Sequence, residues 1–276
     1  MKKLIFAALS LILAGSFYGC EPIVEDGPEP AALQAEQFQA NIAPVMVNGK
    51  RSNRVICETS SKVSVQWTDG IKTYTGNRAV MTLFLTGQQV ITAVALNQDG
   101  STFTKDFTVN VEEKSFAVEP QYEYLCGTGE KTWTWQGEKC FGNGGAGETG
   151  PAWWVLNPSD VTTQCRDKKL DADGLGATMT FTLRGLKMKK TSSDQKVRAG
   201  AFTMDLASNS ANGWSYGIGS IRVSGTNILC GHDFNDPGLK AWSEYNIVSL
   251  TPDKMVLAAQ EFDKDGWWYY VFVPSN

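Results

Sequence analysis

The chain has 276 residues, 42% of them hydrophobic, a net charge of -4 and a single histidine. It is long enough for two domains. The acidic balance excludes a surface that tracks nucleic-acid phosphates, which needs a concentrated Lys/Arg face, so nucleic acid is not an expected partner. The cluster Lys187, Lys189, Lys190, Lys196 and Arg198 reads as a solvated hairpin edge, where lysine discourages strand pairing. With only His232 and no Cys-x-x-Cys spacing, no zinc site is expected.

Residues 1–19 read as a signal peptide. Lys2 and Lys3 precede an apolar stretch, Leu4 to Leu13, that is too short to span a bilayer. Gly19-Cys20 then resembles the lipobox at which bacterial lipoproteins are cleaved, which makes Cys20 the expected lipidation site and the membrane a partner through an N-terminal lipid anchor. Each acyl methylene buried in the bilayer contributes about 0.8 kcal/mol. Residues 20–40 read as an acidic, proline-rich tether, because Glu21 to Pro30 carries four acids and three prolines and has little to bury. Acids behind such a cysteine are similar to the export signal of Bacteroidetes lipoproteins. That resemblance implies the outer membrane and the cell surface. Five cysteines remain, so at least one thiol is unpaired; the four in the C-terminal half allow three pairings.

Residues 41–113 read as short strands between turns. Val63, Val65 and Trp67 alternate, which puts them on one inward face. Runs at Ala79 to Leu85, Gln89 to Leu96 and Thr102 to Val111 follow, the last two joined across Asn97-Gln98-Asp99-Gly100. The pattern is that of a small immunoglobulin-like sandwich. Gly87 to Gly100, the strand from Phe103 to Val111, and Trp67-Thr-Asp-Gly70 together resemble a PKD domain. The resemblance implies a spacer that positions its neighbour.

Glu112 to Pro120 reads as a linker. Residues 121–276 are β-rich, with strands expected at Thr178 to Leu183, Arg198 to Asp205, Trp214 to Ile218, Tyr245 to Leu250, Lys254 to Ala259 and Trp267 to Val273. The fold class expected for the whole chain is all-β: the small PKD-like sandwich, then a larger jelly-roll-like β-sandwich. Lys131 to Trp135, Phe141 to Gly144, Pro151 to Trp154, Met179 to Phe181 and the ending from Leu250 to Pro274 resemble the C-terminal region of PKD-containing surface lipoproteins of Bacteroidetes polysaccharide-utilisation systems. This implies polysaccharide or oligosaccharide as ligand. An outer-membrane transporter is a further expected partner.

Eight of the nine tryptophans lie in this second half. Trp133 and Trp135 share a strand face and are expected in the core. In Trp267 to Tyr270, alternation sends one Trp/Tyr pair outward, either as a platform or beneath a loop. Trp153 and Trp154 follow the glycine-rich run Gly142 to Pro151, and Trp242 follows the polar run Cys230 to Gly238. Binding residues concentrate on such loops. A sugar offers apolar C–H faces and hydroxyl edges, so the expected ligand-binding set is Trp153, Trp154 and Trp242, with Asp233, Asn235 and Arg166 for hydrogen bonds.

No cofactor is expected. Asp171-Ala-Asp-Gly174 and Asp263-Lys-Asp-Gly266 resemble fragments of calcium loops but lack the full set of oxygen ligands. Catalysis is not expected either. Glu261-Phe-Asp263 begins a Glu-x-Asp-x-x-Glu pattern whose last position is Gly266, and a glycosidase needs two carboxylates, about 5.5 Å apart in retaining enzymes. The alternatives are a structural or adhesion lipoprotein with a protein partner and, third, a divergent glycoside hydrolase.

Overall fold

The computed structural model describes residues 31–207, 216–262 and 264–275. The leader, Cys20, Trp214 and Asp263 lie outside them. Strands take 47% and helices 7%, so the chain is all-β with sandwich-like sheets. From Leu33 onward it forms one compact unit with two main hydrophobic cores.

The first core lies between two sheets. One contains β1 (Asn41–Val47), β2 (Lys50–Glu58) and β5 (Arg78–Thr82); the other contains β3 (Ser64–Thr68), β4 (Thr73–Thr75), β6 (Gly87–Leu96) and β7 (Thr102–Val111). Alternation along β3 and β6 buries Val65, Trp67, Ile91, Ala93 and Ala95 against Val55, Cys57 and Met81 of the facing sheet. β6 and β7 pair from Gly87↔Val111 to Leu96↔Thr102, across the expected Asn97 to Gly100 turn.

Two expectations are corrected here. The tether does not extend to residue 40. Phe38 is fully buried and packs edge-on against Phe103 and Phe107, while Asn97 accepts the Leu33 N–H at 3.0 Å. A lone phenylalanine in a polar stretch finds an apolar slot, and its burial outweighs the cost of ordering a few residues. Nor does Glu112 to Pro120 act as a loose linker. Asn53 Nδ2 donates to the Phe116 carbonyl, its Oδ1 accepts the Phe116 N–H, and the Arg54 guanidinium stacks 3.7 Å from the Phe116 ring centre.

The second core fills a larger β structure. Its strands are β8 (Glu130–Trp135), β9 (Phe141–Gly144), β10 (Trp154–Leu156), β11 (Thr178–Thr182), β12 (Lys187–Thr191), β13 (Val197–Asp205), β14 (Ser220–Ser224), β15 (Glu244–Leu250), β16 (Met255–Gln260) and β17 (Trp267–Pro274). From β12 to β17 each strand pairs with its predecessor, and β8 pairs with both β11 and β17, which closes the ring. This connectivity refines the jelly-roll-like expectation. The four residues between β11 and β12, and again between β15 and β16, are too few to cross a barrel end, so successive strands become neighbours. β17 divides its edge: Phe272 faces Trp135 of β8, and Tyr270 faces Phe141 of β9.

The helices α1 (Gln121–Cys126) and α2 (Pro158–Asp167) were not expected. α2 nonetheless has a readable start. Asn157 is the cap, Pro158 fixes the first turn, and the Asp160 carboxylate accepts the Asn157 N–H at 3.0 Å.

The basic cluster is also corrected, because β12 lies between β11 and β13 and so is not an edge. Lys190 points inward and is fully buried, with Nζ 2.7 Å from Asp173 and 2.9 Å from Asn227 Oδ1. Asp173 also accepts the Ser192 hydroxyl and the Cys230 N–H. Asp171 meets Lys190, Lys196 and Arg198. Both carboxylates of the Asp171 to Gly174 fragment are therefore held by protein cations, an arrangement unsuited to calcium.

Candidate functional site

Alternation along β17 sends Trp268, Tyr270 and Phe272 inward and Trp267 and Tyr269 outward. The outward pair is not a platform, since both rings are buried, Tyr269 with its hydroxyl against the chain between β9 and β10. The Tyr269 hydroxyl donates to the Gly145 carbonyl at 2.6 Å, and burial pushes its pKa well above the ordinary phenol value. Asn143 closes this loop at its base. Its carbonyl accepts the N–H groups of Ala152 and Trp153, and its side-chain oxygen accepts that of Trp154.

Glycine makes the loop this tight. A methyl group on Gly142 would meet the Trp154 carbonyl oxygen at 1.8 Å, so no other residue fits there. Gly147 has φ +85, and a methyl group there would lie 3.5 Å from the Tyr216 ring. One at Gly145 would lie 3.3 Å from the Trp153 indole. Two aromatic rings are thus seated on the glycine-rich loop, and both remain largely in solvent: Trp153 is 65% exposed and Tyr216 63%. Glu148 and Thr149, on the same loop, are also exposed.

Trp154 faces the other way. Its ring meets Trp268 edge-on at 5.9 Å and Phe141 at 6.5 Å, yet 37% of it stays exposed. It forms the rim between core and surface.

The rest of the expected set lies elsewhere. Trp242 is 8% exposed, stacked on Phe262 at 5.5 Å and 11°, with its indole N–H on the Gln260 carbonyl. Asp233 is fully buried; it accepts the N–H of Asn235 and of Trp268 on Oδ1 and that of Phe262 on Oδ2. A carboxylate satisfied by three donors pins a loop and is closed to ligand. Asn235 is exposed, but its amide donates to Glu261 at 2.9 Å. Arg166 is exposed on α2, where it pairs with Asp167. Trp268 connects the two groups, touching Trp154 with its ring and Asp233 with its N–H. The connection is a packing one.

Tyr216 was missed, because Trp214 to Ile218 reads as a strand; residues 216–218 are instead a bend. Nothing local in the sequence marks this ring as a neighbour of the glycine-rich loop.

Two of the hollows in the described surface are wide enough to compare. One of about 520 Å³ is lined by Asp171, Arg198, Asn227, His232, Trp242 and Ser243. Hydrogen bonding to Arg198 holds the Asp171 carboxyl well below the usual range, and burial, helped by Lys190, lowers His232. This hollow presents polar edges and no open aromatic face. The other, about 660 Å³, lies on the first sandwich around Gln39, Glu58 and Arg78, and its lining holds no aromatic ring.

No family model matches the chain, and no curated protein matches it. Among solved structures it is similar to the PKD1 domain of Vibrio anguillarum Epp, at 17% identity and a TM-score of 0.22, over 27% of this chain and 93% of that one. It is also similar to a carbohydrate-binding module of the β-sandwich superfamily, at 10% identity and a TM-score of 0.23, over 89% of this chain and 93% of that one. At these scores, what the chain does has to be read from its own residues.

Proposed function

We propose that this chain binds polysaccharide or oligosaccharide without chemistry, through the ring faces of Trp153 and Tyr216, with Trp154 at the rim. The observation that carries the proposal is the exposure of Trp153. Burying a large apolar side chain is worth about 1.5–3 kcal/mol. The fold buries Trp67, Trp133, Trp135, Trp242, Trp267 and Trp268 but leaves this indole out, on a loop that the Tyr269 and Asn143 hydrogen bonds hold closed. A fixed, exposed ring suits the C–H face of a sugar, and Glu148 and Thr149 offer hydrogen bonds to its edge. A non-catalytic role is supported by the buried carboxylates Asp173, Asp233 and Glu261, each of which accepts bonds from protein donors.

Affinity electrophoresis in gels containing neutral and uronic-acid polysaccharides tests this reading. At least one gel should retard the protein, and Trp153→Ala should abolish the retardation with the melting temperature unchanged. Normal migration in every gel would overturn it.

The proposal includes the address read from the leader: a lipid anchor on Cys20 at the outer membrane, facing the cell surface beside a transporter. Labelled palmitate should enter the wild-type protein and not Cys20→Ala; equal labelling of both would remove the anchor.

One observation favours a second reading. Among the described residues β10 pairs only with β9, which makes it an edge strand there, and it and the residue before it carry the exposed run Trp153, Trp154 and Val155. A partner protein could add a strand there. Binding competed by a peptide and not by any glycan would select that role.

A further inference from the structure

Cys165 lies in the last turn of α2, and Cys230 lies in the connection between β14 and β15. Both are buried and unbonded in this structure, yet their Sγ atoms are 2.8 Å apart, closer than two sulfurs in ordinary non-bonded contact. Each is fixed independently of the other. The Asn157/Asp160 box starts the helix, which lays Val161 and Cys165 on the core. Cys230 sits at φ +51, with its N–H on Asp173, three residues ahead of the pinned Asp233. Two elements that are held separately and still bring their sulfurs together at 2.8 Å need a shift of less than about 1 Å to reach the roughly 2.05 Å of a disulfide. Cys57 has a different neighbour, Met81 Sδ at 3.7 Å.

We infer that Cys165 and Cys230 form a disulfide, closing a span of 65 residues and fastening α2 to the loop that ends the barrel. The chemistry is a two-electron exchange. The two thiols give up two protons and two electrons as the S–S bond forms, and a small-molecule disulfide such as oxidised glutathione accepts them, leaving as two thiols. The exchange takes place before the chain closes over the sulfurs, because burial raises the Cys230 thiol pKa well above its ordinary value, suppressing the thiolate, and hides both atoms from reagents.

The full chain, reduced in denaturant and refolded with oxidised and reduced glutathione, is the test. After blocking of thiols and digestion without reductant, the peptides carrying Cys165 and Cys230 should appear linked, lighter than their sum by two hydrogen atoms, and should separate on reduction. The oxidised protein should melt about 10 °C above the same protein kept reduced, as expected for a bridge across a loop of this size. Cys165→Ala and Cys230→Ala should each lose the linked peptide and the oxidation-dependent shift. A folded, glutathione-treated protein that yields both cysteines blocked and unlinked overturns the inference, as does linkage to Cys126 or Cys140.

Discussion

The β9–β10 loop and the β14–β15 connection begin from similar material, glycines with acids and amides followed by tryptophan, and end differently. The first leaves Trp153 65% exposed and the second leaves Trp242 8% exposed. The difference lies at the centre of each loop. Asp233 turns inward and gathers the N–H groups of Asn235, Phe262 and Trp268, which draws its loop down onto the β16–β17 turn and closes Trp242 against Phe262. The glycine-rich loop has no such inward carboxylate. It is fastened from below by the Tyr269 hydroxyl and at its base by Asn143, and rings that pack on it from above stay in solvent. A polar loop beside a tryptophan therefore makes a binding surface only when its polar groups are not needed to pin the loop itself.

Substitutions in the two loops would break or sharpen this contrast. Trp242→Ala has the largest expected effect on folding: the stacked, hydrogen-bonded indole leaves a cavity, and thermal or denaturant unfolding should show a loss of about 3–5 kcal/mol. Unchanged stability would mean that the second loop is as open as the first. Asp233→Asn comes next. The amide oxygen can serve the two donors on Oδ1, which turns the amide NH₂ toward the Phe262 N–H, and one unsatisfied buried donor costs about 2 kcal/mol in the same assay. A neutral result would show that the loop does not depend on the carboxylate. Trp153→Ala, the variant used in the glycan gels, should fall within about 0.5 kcal/mol of the parent, as surface substitutions do. A large loss there would make Trp153 a packing residue and remove the contrast.

Much of the first sandwich was legible in the chain because its strands obey a local rule. Alternation at Val63, Val65 and Trp67 and the Asp99-Gly100 turn were enough to place β3 and the β6–β7 hairpin. In the larger structure, Trp133 and Trp135 were placed in the core by the same rule, and their indole N–H groups reach the carbonyls of Leu125 and Asp173. Lys190 was misread because a buried lysine resembles an exposed one in sequence; Asp173, 17 residues away, and Asn227, 37 away, draw it inward. Trp242 and Asp233 were misread for a related reason. Their partners Phe262, Gln260 and Trp268 lie on the far side of β15, and no local window contains both halves.

The sequence by itself determined that this chain is all-β, which strand faces point inward, and that aromatic rings are concentrated in its second half, because period-two alternation and turn residues act over a few positions. Tertiary structure decided which rings remain outside. Ring closure through β8 and β17 set the inner face, the glycine-rich loop closed over Tyr269, and Asp233 drew in the loop before Trp242. Exposure depends on what the rest of the chain lays over a side chain, so the placing of Trp153 and Tyr216 against one glycine-rich loop appears only in the folded chain.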